Sequence, residues 1–202
     1  MIWRAAALCL LAWPVAAESL PGLFAVTGIA QGDVLNIRAV PAASGDQLGS
    51  LSRNTQGVEV ISLSEDGRWG MVSTRETSGW VAMRYLAREP GPEWTALQRP
   101  LHCVGAEPFW GATYDPKAQA FAFDVMGEAA ARMAVNWSAP VAGRDGTLGF
   151  SLSGMGGEGF AIMRAEECSD GMSDRTRGLS VDFYVPEGSG GAGYNGCCSL
   201  SR

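Results

Sequence analysis

The sequence predicts an all-β protein, with a small N-terminal barrel followed by a C-terminal antiparallel sheet or barrel that carries disulfides. Apolar and polar residues alternate over short runs, which is the two-residue period of half-buried strands. Turn residues separate these runs at close intervals. Of the 202 residues, 27 are Gly, a share well above the usual ~7%, which favours tight turns over long helices.

Residues 1–17 are typical of a secretory signal peptide rather than of a folded element. Arg4 gives a short positive region, Ala5 to Trp13 an apolar region, and Val15-Ala16-Ala17 the small residues before a cleavage site. The alternative, a membrane anchor, is disfavoured because the apolar run is far shorter than the ~20 residues that a spanning helix needs. We therefore expect a periplasmic or secreted bacterial protein with no transmembrane segment after signal cleavage.

Four cysteines follow this segment: Cys103, Cys168, Cys197 and Cys198. An even number of cysteines outside the cytosol predicts two disulfides. A bridge between the neighbours Cys197 and Cys198 would be strained, so the two pairings that join them to Cys103 and Cys168 stay open. The rival interpretation is a metal site built from His102 and the thiols, but the chain lacks the C-x-x-C pair usual in structural zinc sites. We expect neither a metal nor a cofactor.

Residues 24–87 contain the first set of predicted strands. Alternating runs lie at 34–38, 58–60, 69–72 and 79–81, and turn residues lie at 31–33, 41–49, 65–67 and 76–79. Short strands at this spacing indicate a small β-barrel.

Residues 88–100 have the composition of a linker with one short helix. The run Arg88-Glu89-Pro90-Gly91-Pro92 is rich in chain breakers. Pro92 suits the first position of a helix, Glu93 is favourable near its N-terminus, and Pro100 ends it.

Residues 101–202 return to the period of two and form the second predicted domain. Weaker strands are expected near Trp110 and Phe160, and residues 188–196 are expected to form a mobile Gly-rich loop. Residues 154–159 match G-x-G-x-x-G, but a strand-like run follows them, so we predict a hairpin turn there rather than a dinucleotide site. Four runs share one buried face each: Phe121, Phe123 and Val125; Met133, Val135 and Trp137; Leu148, Phe150 and Leu152; Leu179, Val181, Phe183 and Val185.

The charge balance excludes several functions. The chain carries a formal net charge of -6, and residues 89–202 hold fourteen acids against eight bases. We therefore expect no nucleic-acid partner, because such partners need a basic footprint. A single His excludes any site that requires two.

The run Leu35-Asn36-Ile37-Arg38-Ala39-Val40-Pro41 resembles the L-N-V-R-x-x-P signature of bacterial SH3 (SH3b) domains. Asp66-Gly67-Arg68-Trp69, Gly79-Trp80-Val81 and Tyr85-Leu86 follow in the order of that family. The resemblance implies a five-stranded barrel that binds cell-wall peptides or other protein segments.

Five residues of this domain are candidate ligand-binding residues: Asn36, Arg38, Trp69, Trp80 and Tyr85. The aromatic rings offer flat apolar walls with polar tips, which suit an extended peptide. Arg38 can pair with a peptide carboxylate. The alternative is structural: the two Trp residues belong to the core, and Arg38 ties down a loop acid such as Asp66.

Two motifs of the second domain, Gly105-x-Glu107-Pro108-Phe109-Trp110 and Cys168-x-Asp170-Gly171-Met172-Ser173-Asp174, resemble an exported bacterial domain family without an established activity. A late Gly196-Cys197 completes that pattern. A disulfide from Cys103 would bring the motifs together, so Glu107, Trp110, Asp170 and Asp174 form a candidate second site. Clustered carboxylates can carry out acid–base chemistry or hold Ca²⁺, but they also cap turns or pair with arginines.

The leading functional hypothesis is a non-enzymatic binding module with no catalytic residue, whose partner is a peptidoglycan peptide or an envelope protein. One alternative is a cell-wall hydrolase that uses the carboxylates of the second domain. Another is an inhibitor or assembly partner of an envelope protein, which an exposed apolar patch would favour.

Overall fold

The fold consists of short antiparallel strands, as the computed structural model shows for residues 19–74 and 76–201. The signal peptide predicted at residues 1–17 lies outside these residues. Two 3₁₀-helices, Met83–Tyr85 and Trp94–Ala96, occur in the described chain, and no helix there has the length and apolarity to cross a membrane. The all-β prediction is confirmed. The strands are β1 (Gly22–Val26), β2 (Val34–Arg38), β3 (Gln47–Ser52), β4 (Val58–Val60), β5 (Trp69–Ser73), β6 (Ser78–Ala82), β7 (Leu86–Arg88), β8 (Leu101–Ala106), β9 (Phe109–Asp115), β10 (Ala120–Val125), β11 (Ala131–Pro140), β12 (Thr147–Gly154), β13 (Gly157–Ser169), β14 (Thr176–Glu187) and β15 (Gly190–Leu200).

Strands β1 to β7 form two small sheets around a shared core. Their orders are β4-β1-β7 and β3-β2-β6-β5. In β2 the alternation places Leu35 and Ile37 in the core and leaves Asn36 and Arg38 on the outer face. In β5 and β6 the same alternation turns Val72 and Val81 inward. The residues adjacent to each of them in its strand therefore lie on the outer face of the four-stranded sheet.

Strands β8 to β15 form a closed barrel of eight strands. Each strand pairs antiparallel with the next, and β15 pairs with β8 to close the barrel. Aromatic rings fill the interior; the Phe121 ring centroid lies 5.2 Å from that of Phe183 and 5.6 Å from that of Phe150. The predicted inward faces of β10, β12 and β14 are confirmed, as is the hairpin turn at residues 154–159.

Trp137 breaks the predicted pattern of β11. The sequence placed it on one face with Met133 and Val135, yet its side chain is 58% exposed. A β-bulge between Val135 and Trp137 inserts Asn136 into the strand. One extra residue moves every later side chain to the opposite face, so Trp137 points to the exterior.

The expectation of a mobile loop at residues 188–196 is wrong. Only residues 188 and 189 separate β14 from β15, which begins at Gly190. Gly196 of β15 marks a close contact: a Cβ atom there would lie 2.5 Å from the Trp110 ring and 2.2 Å from the Val104 carbonyl oxygen. Glycine is therefore required because neighbours approach closely, and not because the segment moves.

Two disulfides hold β15, and one of them crosses the seam where the barrel closes. Cys103 of β8 bonds to Cys198 of β15, and these residues are also direct partners in the β8–β15 pairing. Cys168 at the end of β13 bonds to Cys197. The structure thus selects one of the two pairings left open by the sequence. The rival metal site built from thiolates is overturned because the four sulfurs form two disulfide bonds.

The N-terminal sheets dock on one end of the barrel. Leu23 of β1 faces away from its own sheet's core and packs into the barrel core with Trp94 and Leu97. The predicted linker therefore holds two buried side chains: Trp94 is 2% exposed and Leu97 is 7% exposed. The Thr176 backbone N–H donates to Ser78 Oγ at 2.7 Å, and its carbonyl oxygen accepts a hydrogen bond from Ser73.

Glu59 of β4 is enclosed in this contact. Its Oε1 accepts a hydrogen bond of 2.9 Å from the Leu200 backbone N–H, and it also faces the guanidinium groups of Arg177 and Arg175. Burial outweighs these favourable contacts and raises the pKa of Glu59 from 4.5 to about 7.

The substitution Glu59→Gln is expected to remove a pH dependence of stability. A raised pKa means that the folded state favours the protonated carboxyl, so stability from this group is full below pH 4.5 and is lost as the pH rises through about 7. Urea unfolding at pH 5 and pH 8 measures the effect. The variant should lose less stability between these values than wild type, by up to about 3 kcal/mol. The exposed Glu65→Gln is the control, and equal pH slopes in all three proteins would refute the assignment.

The substitution Leu23→Ala tests whether the two parts unfold together. It leaves a cavity at the barrel end and should lower the free energy of unfolding by about 2–5 kcal/mol. Amide exchange in β8 and β15 should accelerate, although Leu23 belongs to the N-terminal sheet. Leu48→Ala, at a residue 43% exposed, serves as the control. Unchanged exchange in the barrel would contradict the coupling.

Candidate functional site

A groove on the outer face of the four-stranded sheet brings together most of the candidate ligand-binding residues. It consists of two adjoining hollows of about 580 Å³ and 220 Å³, with the Trp69 side chain lining both. The smaller hollow also contains Asn36, Arg38 and Tyr85. Four of the five candidates, distant in sequence, therefore line one surface. Trp80 lies on the same sheet face, opposite Arg38 in the pairing, but lines neither hollow.

Trp69 and Trp80 are half-buried on this outer face and are not part of the hydrophobic core. Trp69 pairs with Ala82, and Met71 pairs with Trp80, so both rings belong to the outward set of β5 and β6. These positions do not match the alternative interpretation, in which both Trp residues belong to the hydrophobic core.

A hydrogen-bonded turn before β5 positions Trp69. Ser64 Oγ accepts the Trp69 backbone N–H at 3.0 Å and donates to Asp66 Oδ1 at 2.7 Å. Asp66 also accepts the Arg68 backbone N–H at 3.0 Å and the Arg68 Nε–H at 2.5 Å. These hydrogen bonds, that of Ser64 first, lower the pKa of Asp66 to about 2. The turn therefore presents Arg68 and Trp69 together at the rim of the larger hollow.

Arg38 holds a loop, but not through the acid named in the structural alternative. Asp66 binds Arg68, whereas Arg38 donates from one terminal nitrogen to the Gly45 carbonyl oxygen at 3.1 Å. This contact ties the loop after β2 to the strand and shapes the wall of the groove that carries Ala43.

The sequence did not indicate Arg68, Met83 and Arg84 as groove residues. Arg84 lies in the 3₁₀-helix Met83–Tyr85, where its guanidinium carbon is 4.8 Å from the centre of the Tyr85 ring. The sequence has neither a helical period nor a capping residue that would predict this single turn after β6. The neighbouring Tyr85 was the only signal that could have indicated it.

The four candidates of the second site do not come together. Glu107 is exposed in the turn between β8 and β9, whereas Asp170 and Asp174 lie between β13 and β14. The β8 end near Leu101 pairs with Leu200 beside the N-terminal sheets, so Glu107 is at the other end of the barrel. Trp110 is 4% exposed in the barrel core, where its ring stacks on Phe123 with centroids 5.5 Å apart.

Asp170 and Asp174 have structural contacts. Asp170 Oδ1 accepts the backbone N–H groups of Met172 at 3.0 Å and Ser173 at 3.2 Å, and its Oδ2 lies 3.9 Å from the Arg177 guanidinium. Burial acts to raise the pKa of Asp170, but the two backbone hydrogen bonds and Arg177 prevail and lower it. The backbone of Asp174 pairs with that of Thr77 of the N-terminal part in an isolated parallel β-bridge. The lowered pKa of Asp170 is the opposite of the raised pKa that a general acid needs.

A row of exposed aromatic residues crosses the outer barrel wall. The pairing places Trp137, Ser151, Phe160 and Tyr184 side by side on four consecutive strands. Phe160 is 50% exposed and Tyr184 is 45% exposed, and their rings stack with centroids 4.6 Å apart. We call these three aromatic side chains the aromatic row.

Comparison with protein-family models, curated proteins and solved structures found no match to the chain.

Proposed function

We propose that the protein is a non-enzymatic binding module of the bacterial cell envelope. Residues 24–87 act as an SH3b domain, and the groove beside Trp69 binds a peptide segment of the cell wall. One observation supports this most strongly: Asn36, Arg38, Trp69 and Tyr85, which the sequence separates by up to 49 positions (85 minus 36), line one hollow.

The groove has the mixed chemistry that an extended peptide requires. Trp69 and Tyr85 provide flat apolar surface, which contributes most of the binding energy at small interfaces. Asn36 provides an amide that can donate to and accept from a peptide backbone. The two hollows lie side by side along the sheet, so alternate side chains of an extended ligand, which point to the same side, can enter one hollow each.

A binding role fits the second domain better than hydrolysis does. Glu107 lies at the opposite barrel end from Asp170 and Asp174, so these carboxylates cannot share one substrate. The four cysteines within residues 19–74 and 76–201 form disulfides and offer no free nucleophile. The barrel interior is filled by side chains. The two disulfides support export to an oxidising compartment.

The substitution Trp69→Ala tests the proposal. Mature protein, residues 18–202, is mixed with purified peptidoglycan, and retention is measured as a function of concentration. Loss of the ring should weaken saturable retention by about tenfold or more. Because Trp69 is half-buried outside the core, the circular dichroism spectrum should remain that of wild type.

Trp137→Ala provides the matched control, since it removes an exposed Trp from the barrel wall. It should leave retention unchanged. Equal retention of wild type and Trp69→Ala, or no retention of wild type, would count against the proposed groove.

The aromatic row favours a second candidate function, assembly with another envelope protein. Exposed apolar patches mark interaction surfaces in soluble proteins. Site-specific photocrosslinking in the native compartment, from a probe that replaces Phe160, should give one discrete adduct. A probe at the exposed Thr113 of β9 should give none. Crosslinking from both positions alike, or from neither, would remove this candidate.

A further inference from the structure

The groove is cationic although the chain as a whole is acidic. The formal net charge of the chain is -6. Three arginines, Arg38, Arg68 and Arg84, line the two hollows, against one acid, Asp33. Since the rest of the surface repels anions, this concentration of positive charge distinguishes the groove from its surroundings.

Two of the three guanidinium groups form no salt bridge with the residues that the structure describes. Arg68 is neutralised by Asp66, whose Oδ2 lies 2.5 Å from Arg68 Nε. Within residues 19–74 and 76–201, neither Arg38 nor Arg84 forms a salt bridge. Arg38 uses one terminal nitrogen for the Gly45 carbonyl oxygen, while the Arg84 guanidinium lies over the face of the Tyr85 ring.

Both unpaired arginines line the smaller hollow, beside the ring of Trp69. Asp33 lies in this hollow too, and its Oδ1 accepts the neighbouring Val34 backbone N–H at 2.8 Å. An extended peptide with its apolar part on Trp69 would place the side chain two residues further on, or its terminus, among these groups. A planar guanidinium donates two parallel hydrogen bonds to a carboxylate, which gives it both strength and orientation.

We infer that the smaller hollow recognises a carboxylate of the cell-wall peptide, through Arg38 and Arg84, while Trp69 binds the adjacent apolar part. This inference rests on the proposed function, since it names the ligand chemistry of the same groove. It predicts that the groove discriminates between acidic peptides and their amidated counterparts.

Chemical blocking of the ligand carboxylates tests the inference. Peptidoglycan is first stripped of phosphate-bearing polymers, and half of it is then coupled to methylamine with a carbodiimide, so that its carboxylates become neutral amides. Retention of mature protein should be about tenfold or more weaker on the amidated material than on the untreated material. If the protein were retained by unstripped peptidoglycan but not by stripped peptidoglycan, phosphate would be the recognised anion and the inference would be overturned.

Arginine variants assign the effect to the groove. Arg84→Gln and Arg38→Gln should each weaken retention on untreated peptidoglycan by about tenfold and have little effect on the amidated material. Arg84 has no hydrogen bond to lose in the fold, so its variant remains informative even if Arg38→Gln loosens the loop at Gly45. Arg144→Gln, at an exposed barrel loop, is the charge-matched control and should bind as wild type.

The outcomes separate the two proposals. Equal retention on both materials, lost in Trp69→Ala, would keep the peptide groove and overturn carboxylate recognition. Absence of retention on either material would overturn the proposed function and this inference with it. Weaker retention of Arg144→Gln to the same extent as of Arg84→Gln would show nonspecific charge attraction and likewise refute the assigned site.

Discussion

The pairing of β15 with β8 closes the barrel and also builds the surface on which the N-terminal sheets rest. Cys198 and Cys103 are direct partners in this pairing and are covalently joined. Two residues further on, the Leu200 N–H donates to Glu59 of β4, and Ser199 Oγ accepts from the Arg177 guanidinium at 2.9 Å. If the seam opened, the buried Glu59 and Arg177 would lose these partners, so closure and docking depend on one another.

The groove depends on the alternation of β2, β5 and β6. Inward Leu35, Ile37 and Val72 hold the sheet to its core, and the outward positions carry Asn36, Arg38 and Trp69 as a consequence. The turn at Asp66 then fixes the approach of Trp69. The proposed binding surface therefore uses residues that the core leaves free, and they can vary in chemistry without loss of the fold.

Periodicity predicted the inward faces of the barrel, and redox chemistry predicted the disulfides, because each follows from local sequence and compartment. Trp137 was misplaced because a bulge depends on the partner strand, which the local pattern does not contain. Gly196 was misread as part of a mobile loop because its closest contacts, Trp110 and Val104, lie far away in the chain. Four groove residues were recognised from a family resemblance, whereas Arg84 was missed because only the folded turn brings it over Tyr85.

The β5–β6 hairpin carries the groove at one end and the barrel contact at the other. Trp69 pairs with Ala82 near the groove, and Ser73 pairs with Ser78 beside Thr176. Trp69 and Ser73 are four residue steps apart along β5, which is about 13 Å. The hairpin is therefore a short rigid connection between the groove and the barrel. A ligand bound at Trp69 would hold the barrel at a fixed distance and orientation, which a flexible linker would not do.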